Sequence, residues 1–235
     1  MTAADTAVAS WDLYRETRDR FISLVRPLDD DRASTVVPIT PGWTVAEVLA
    51  HLCGLNSDVA DGLREGLGTD ERTALHVSSR EGRTVAEICT EWIGHGAAMV
   101  GAINEDPFFG RRLAADLVVH LHDVQHALDQ PIDRGDDATV SGGRTYALRM
   151  VDEYLDSSNV NLDLDFGGDG RFQPADPPSD ATPVRLRTTP YDYLRSVTGR
   201  RSTAEVLALE WTGDPAALLP NLSPYGPLRT EDAGF

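Results

Sequence analysis

The segment Arg111-Arg-Leu-Ala-Ala-Asp-Leu-Val-Val-His-Leu-His-Asp-Val-Gln-His-Ala-Leu128 decides the fold, because its apolar residues recur at the spacing of one long α-helix. The same segment carries two pairs of acidic or imidazole groups at i, i+4, namely Asp116 with His120 and His122 with His126. Side chains four residues apart lie on the same face of a helix, so either pair can bind one metal ion without backbone strain. The sequence therefore predicts a helix that contributes to a core and also offers metal ligands.

Helical phase distinguishes the two pairs. With residues placed about 100° apart, the core stripe falls in a sector of about 80° and consists of Leu113, Leu117, Leu121, Val124 and Leu128. His120 lies about 60° from the centre of this stripe and Asp116 about 100°, on the same flank. His122 and His126 lie about 140–180° away, which predicts an outer, solvated face. Phase thus favours Asp116 and His120 as ligands, and ligation by the second pair stays an alternative.

A third ligand is available in the run Pro41-Gly-Trp-Thr-Val-Ala-Glu-Val-Leu-Ala-His-Leu52. Thr44 followed three residues later by Glu47 predicts a capping box at the start of a helix. His51 then lies at the edge of the apolar stripe of this helix, either as a ligand or as a hydrogen-bonded boundary histidine. Two imidazoles and one carboxylate suit Zn²⁺, Ni²⁺ or another divalent transition metal and leave a coordination position open.

Four helical patterns dominate the first 140 residues. They cover residues 5–28, 44–66 and 84–104 and the segment quoted above, and the polar stretch 68–83 predicts a loop. Helices of about 20 residues without an alternating strand pattern indicate an up-down four-helix bundle. We therefore predict a mainly α fold with this bundle over residues 1–140.

Residues 141–235 are predicted to form a linking helix and a small α/β carboxy-terminal domain, because period-two alternation now appears. The predicted elements are a helix over 142–156, strands over 160–166, 184–188 and 206–211, a loop over 167–183, and helices over 190–197 and 215–219.

Composition excludes several classes of partner and chemistry. Acidic residues outnumber basic ones 38 to 21 and the formal net charge is −17, which argues against a nucleic-acid or anionic-membrane partner. Every basic residue is Arg, so the chain cannot supply a catalytic lysine. Cys53 and Cys89 have no electropositive neighbourhood in the sequence and are predicted to be buried, reduced thiols. The sequence shows no signal-peptide pattern and no long apolar run, so we expect a cytoplasmic location.

Three stretches together resemble the mycothiol-dependent maleylpyruvate isomerase-like proteins of the DinB superfamily. Residues 41–51 are similar to the second helix of that family, with its Trp-Thr-Val and His-Leu pattern, and residues 116–128 are similar to its fourth helix. The third stretch joins residues 194–202 with residues 208–215 and is similar to a Gly-Arg and Gly-Asp pattern in the second domain of the family.

The resemblance implies a DinB-type bundle that holds a divalent metal, with zinc the first choice, and mycothiol as thiol cofactor. His51, Asp116 and His120 match the metal-ligand motif of the family, with Asp116 standing where Glu is usual. Arg200 matches the Gly-Arg motif, where an Arg can hold a substrate carboxylate; the alternative is a structural Arg that follows the helix-ending Gly199.

The function that this resemblance implies is a metal-dependent enzyme in which the metal lowers the pKa of the cofactor thiol and so supplies a thiolate nucleophile. The partners would be a small electrophilic substrate and the thiol, and the reaction either a cis–trans isomerisation or an S-transfer. Two alternatives stay open. One is a non-catalytic metal- or thiol-binding protein with a stress-response or biosynthetic accessory role, and the other is a metal-free enzyme that uses the same cavity.

Overall fold

The computed structural model describes residues 3–40, 42–155, 159–177 and 179–232, with the side chains of residues 3–8 and 154 left aside. Pro41 and Asp156, which begin or end predicted segments, lie outside the described residues. Contacts divide the chain into two compact units, Met1–Ile132 and Asp133–Phe235. The predicted domain division between residues 140 and 141 stays a prediction.

The amino-terminal unit consists of helices joined by turns. They are α1 (Ala3–Val25), α2 (Asp30–Ala33), α3 (Val45–Ala60), α4 (Asp70–Ser78), α5 (Val85–Gly94), α6 (Gly96–Glu105) and α7 (Pro107–Ala127). The four bundle positions are taken by α1, α3, the consecutive pair α5–α6, and α7, which pack against one another. The predicted up-down four-helix bundle is confirmed.

The capping box predicted at Thr44 is present, and a second one begins α5. Thr44 accepts from the backbone N–H of Glu47 at 3.3 Å while the Glu47 carboxylate accepts from the backbone N–H of Thr44 at 2.7 Å. Thr84 and Glu87 repeat the arrangement at the start of α5. These reciprocal bonds satisfy amide groups that a helix start leaves unpaired, so they define where α3 and α5 begin.

A chain of buried hydrogen bonds crosses the core of the bundle. The indole N–H of Trp92 donates to the hydroxyl oxygen of Tyr14 at 3.0 Å, and that hydroxyl donates to the side-chain carbonyl of Asn56. The Asn56 amide donates in turn to the carbonyl of Leu52 at 2.8 Å. Each polar group in this dry region has a partner, and the chain joins α5, α1 and α3 in one register.

The structure differs from the sequence prediction in three places of this unit. The predicted loop 68–83 contains α4, the predicted helix 84–104 is interrupted at His95, and α3 ends at Ala60 rather than near Gly66. His95 stands between Gly94 and Gly96, and two glycines weaken a helix by about 1 kcal/mol each. Gly62 follows α3 at a φ of +83°, a left-handed conformation that does not continue a helix.

The carboxy-terminal unit combines helices with one small sheet. Its elements are α8 (Asp137–Arg149), a π-helical turn (Met150–Tyr154), β1 (Val160–Asp165), β2 (Arg171–Phe172), β3 (Thr182–Arg187), α9 (Pro190–Val197), α10 (Thr203–Leu207), β4 (Glu210–Thr212) and a 3₁₀ turn (Leu219–Asn221). The strand order is β2-β1-β3-β4, with β1 and β3 parallel and the outer pairs antiparallel. The small α/β unit that the sequence predicts is confirmed.

Period-two alternation places the apolar residues of β1 inward and its carboxylates outward. Asp163 pairs with Arg171 of β2, and Asp165 pairs with Arg185 of β3, so charges bridge the strands on the outer face. Three predictions here are wrong in detail. β2 lies in the predicted loop 167–183, and α10 takes the first part of the predicted strand 206–211. Where a helix over 215–219 was predicted, residues 216–218 form a turn that leads into the 3₁₀ turn Leu219–Asn221.

No helix among the described residues is both long enough and apolar enough to cross a membrane. The cytoplasmic location stays a prediction from the sequence.

Close packing of α8 on α9 provides a test of the carboxy-terminal unit. A Cβ added at Gly143 would lie 2.6 Å from the carbonyl oxygen of Pro190, the first residue of α9, and this backbone atom cannot swing away. We expect Gly143→Ala to lower the free energy of unfolding of this unit by about 1–3 kcal/mol, as overpacking does elsewhere. Urea unfolding followed by circular dichroism measures the change.

Gly168 is the matched control, because a Cβ there meets nothing within 4 Å. An equal loss of stability in Gly143→Ala and Gly168→Ala would contradict the packing that the structure describes.

Candidate metal centre

Three predicted ligands meet in the bundle. His51 lies on α3, and Asp116 and His120 lie one turn apart on α7. Each offers one ligand atom, and these atoms all lie within 4.8 Å of one another. The three side chains that the sequence selected by phase and by resemblance therefore form one cluster.

Packing of α3 on α7 brings the cluster together. The rings of His51 and His120 stand edge to face, with centroids 5.4 Å apart, and Nε2 of His120 is 3.9 Å from Oδ1 of Asp116. Both imidazoles are buried, at 7% and 6% exposed, whereas the Asp116 side chain is 32% exposed. The cluster is therefore enclosed on its imidazole side and reachable from solvent on its carboxylate side.

The second ring nitrogen of His120 faces a buried carboxylate. Nδ1 lies 3.6 Å from Oδ2 of Asp123, whose side chain is completely buried one turn further along α7. Nε2, on the side of Asp116, is the nitrogen left to face the cluster. A carboxylate behind a metal-binding imidazole is a common arrangement, because it holds the ring and makes it a better ligand.

The second ring nitrogen of His51 faces another histidine, and this contact was not predicted. Nδ1 of His51 lies 3.3 Å from Nδ1 of His76, which α4 carries, and Nε2 of His76 lies 2.7 Å from Oδ2 of Asp58. Arg72, one turn before His76, binds both oxygens of Asp58. We call this chain of His76, Asp58 and Arg72 the His51 support.

The charge of Asp58 is stabilised within the His51 support. Burial alone would raise the pKa of Asp58, but hydrogen bonds from Arg72 and His76 outweigh burial and hold that pKa below its usual value. The carboxylate is therefore ionised at neutral pH and accepts the Nε2–H of His76.

A glycine lets α4 come this close to α3. A Cβ at Gly54, one turn after His51, would lie 2.5 Å from Cβ of His76. Sequence reasoning missed His76 because the stretch 68–83 looked like a loop. The signal was nevertheless present. Thr69 is a helix-capping residue followed by two acidic residues, and its hydroxyl accepts the N–H of Arg72 at 3.3 Å.

The prediction that His122 lies on a solvated outer face of α7 is wrong, because this residue is completely buried. His126 is half-buried. The physical reason is that α7 packs against α1, α3 and α6, so its buried surface extends well beyond the single stripe used to set the phase. His95 lies at the junction between α5 and α6.

The remaining predicted site residue, Arg200, lies in the other unit. Its Nη1 donates to the carbonyl of Thr198 at 2.6 Å, beside Gly199 at a φ of +73°. This contact closes the end of α9 and agrees with the structural alternative for Arg200. The adjacent Arg201 forms ion pairs with Asp192 and Glu205.

Both thiols of the chain are buried and free, as predicted. Burial raises the pKa of Cys53 to about 12 and that of Cys89 to about 11. Both therefore stay protonated at neutral pH, and neither is suited to be a nucleophile.

The donor set fits a divalent transition metal. Two imidazole nitrogens and one carboxylate oxygen converge, and each imidazole turns its other nitrogen to a buried polar partner. This is the chemistry of three-ligand zinc sites, in which a further position stays open for water or a substrate atom.

One family model matches most of the amino-terminal unit. The family model described as mycothiol maleylpyruvate isomerase N-terminal domain matches residues 14–125, which include all three cluster residues and the His51 support. No curated protein sequence matches the chain significantly.

Two solved structures share the fold. A crystal structure of the mycothiol-dependent maleylpyruvate isomerase has a TM-score of 0.51 at 17% identity, and the match covers 97% of this chain and 100% of that one. A histidine-to-alanine mutant of that enzyme has a TM-score of 0.50 at 16% identity, with 85% and 92% covered. At these identities the likeness establishes the fold.

The lowered pKa of Asp58 leads to a prediction about stability and pH. A carboxyl group whose pKa is lower in the folded state stabilises the fold above its unfolded pKa, and this contribution is lost as pH falls through the folded pKa. Asp58→Asn should therefore lower the free energy of unfolding at neutral pH by about 1–3 kcal/mol. The difference from wild type should shrink below about pH 4.

Urea unfolding at a series of pH values measures this difference. Glu71→Gln, on the exposed face of α4, is the control that removes a carboxylate outside the His51 support. A pH-independent difference for Asp58→Asn would contradict the assignment of a stabilised carboxylate.

Proposed function

Because the amino-terminal unit of this chain belongs to the mycothiol maleylpyruvate isomerase N-terminal domain family, we propose that the protein is a metal-dependent enzyme that uses mycothiol. Its metal ligands in this proposal are His51, Asp116 and His120, and zinc is the first metal to test. One observation carries the proposal: these three side chains converge within 4.8 Å inside the part of the chain that the family model matches.

A divalent metal bound there would lower the pKa of a thiol at its open position and so favour a thiolate at neutral pH. The chain's own residues have three tasks around that position. The two imidazoles and Asp116 hold the ion, the buried surroundings of His51 and His120 limit access of water, and the half-exposed Asp116 leaves an approach from solvent. A thiol from outside the chain is required in any case, because Cys53 and Cys89 stay protonated.

Arg200 is proposed to hold the carboxylate of a small electrophilic substrate. Its position in the Gly-Arg motif supports this role, and a guanidinium can bind a carboxylate through two parallel hydrogen bonds. One of its N–H groups donates to the carbonyl of Thr198, which holds the guanidinium at the end of α9.

The matched family and both similar structures are named for a maleylpyruvate isomerase, which makes maleylpyruvate the first substrate to assay with mycothiol. S-transfer to a different electrophile is the second candidate, since the same thiolate could remain attached to the substrate instead of leaving it. Product analysis distinguishes a rearranged substrate from a thiol adduct.

Metal content tests the ligand assignment. Protein purified without a metal-binding tag should contain stoichiometric divalent metal, and His51→Ala, Asp116→Ala and His120→Ala should each lose most of it while the far-ultraviolet circular dichroism is retained. Each change removes one of three ligands. Elemental analysis measures the metal.

His126→Ala is the matched control, because it removes an imidazole from the same helix outside the cluster. Full mycothiol-dependent activity in metal-free protein would contradict the proposal and favour a metal-free enzyme. Bound metal without activity on any electrophile would favour a non-catalytic binding protein.

Kinetics test the role of Arg200. Arg200→Gln should raise KM for a carboxylate-bearing substrate about 10- to 100-fold, because a lost charged hydrogen bond costs about 1.5–3 kcal/mol. Metal content should not change. Arg201→Gln is the control, since Arg201 is held by Asp192 and Glu205, and an equal rise of KM in both variants would assign Arg200 a structural role.

A further inference from the structure

When a histidine binds a metal through one ring nitrogen, the polar group in contact with its other nitrogen determines which of the two carries a proton. A neutral imidazole has one N–H donor and one acceptor nitrogen, and only the acceptor can bind a metal. His51 has a single nitrogen turned toward His76, so the protonation of His76 at that contact determines which nitrogen of His51 is left for a metal.

The ion pair between Arg72 and Asp58 determines the direction of the hydrogen bonds in the His51 support. Arg72 binds both oxygens of Asp58, so this group is an ionised acceptor and Nε2 of His76 must be the donor at 2.7 Å. In neutral His76 the other nitrogen, Nδ1, is then an acceptor. It accepts the Nδ1–H of His51 at 3.3 Å, which leaves Nε2 of His51 unprotonated.

We propose that His76, oriented by Asp58 and Arg72, is a positioning residue that fixes the ring and the tautomer of His51 so that Nε2 is presented as the metal ligand. The role in metal binding rests on the proposed function. The tautomer itself is a property of the metal-free protein.

Burial and packing support a dedicated role for His76. Its side chain is 3% exposed, although it comes from a short and otherwise solvent-facing helix. The close approach at Gly54 holds α4 against α3 at this point. His76 is not a member of the group whose ligand atoms lie within 4.8 Å of one another, which separates it from His51, Asp116 and His120.

The first arm of the test is nuclear magnetic resonance of metal-free protein with ¹⁵N-labelled histidine, at a pH where the imidazoles are neutral. Long-range ¹H–¹⁵N correlations identify the protonated nitrogen of each ring. We expect His51 to carry its proton on Nδ1 in wild type and to lose this preference in His76→Phe. A proton on Nε2 of His51 in wild type, or an unchanged tautomer in His76→Phe, would overturn the proposal.

The second arm is a Co²⁺ titration followed by visible absorption. We expect His76→Phe to weaken Co²⁺ binding about 10- to 100-fold, the loss usual for a group that orients a metal ligand, with the ligand-field spectrum unchanged. Arg72→Met should also weaken Co²⁺ binding. This variant keeps His76, so it still tests the proposal if His76→Phe fails to fold. Unchanged Co²⁺ affinity in both variants would overturn the role in metal binding. A Co²⁺ spectrum of His76→Phe that has lost a nitrogen ligand would also overturn it, because His76 would then be a ligand itself.

Leu75→Ala is the control for both arms, because it changes the exposed residue next to His76 on the same helix. Failure of this inference differs from failure of the proposed function. If wild type does not bind Co²⁺, the proposed metal site is wrong and the positioning role with it, while the first arm still decides the tautomer. If wild type, His76→Phe and Arg72→Met bind Co²⁺ with equal affinity while His51→Ala abolishes binding, the metal site stands and the support by His76 is wrong.

Discussion

The packing of α3 against α7 is the contact on which the site depends, because it places two imidazoles and a carboxylate side by side in a largely apolar bundle. Such groups are costly to bury unless each polar atom has a partner. Each imidazole of the cluster has a buried polar residue behind its second nitrogen. Asp123 stands behind His120, and His76 stands behind His51.

The two imidazoles are supported in different ways. His120 receives its carboxylate directly from the next turn of α7, a contact that needs no other helix. The next turn of α3 offers His51 no carboxylate, since Leu55 occupies that position, and Glu47, one turn earlier, is bound to Thr44 in the capping box. The buried acid on this helix, Asp58, lies two turns on. An additional helix, α4, therefore inserts His76 between the two, and Gly54 makes room for it.

Periodicity and capping chemistry predicted the long helices, because their apolar faces are repeated over several turns and their first residues bond locally. Helical phase favoured Asp116 and His120 and left His51 as either a ligand or a boundary histidine, whereas the family resemblance matched all three. Periodicity could not predict α4, whose single well-buried side chain leaves almost no apolar pattern in the sequence. It also misplaced His122, because a helix packed against three neighbours has more than one buried face and a single apolar stripe does not describe it.

The carboxylate of the cluster is the shorter Asp116, where the family that the sequence resembles usually has Glu. Its partial exposure makes it the solvent-facing side of the cluster, whereas each histidine has a buried polar residue behind it. In the proposed site the histidines would set the position of the metal, and the carboxylate would complete the site and keep it open to small molecules.

Anomalous diffraction from crystals grown with Zn²⁺ is the most direct measurement of the central claim. A difference map collected at the zinc absorption edge should show a peak bound by Nε2 of His51, the carboxylate of Asp116 and Nε2 of His120, with His76 still on Nδ1 of His51. A map without a peak among these three side chains, or a peak held between the Nδ1 atoms of His51 and His76, would contradict it.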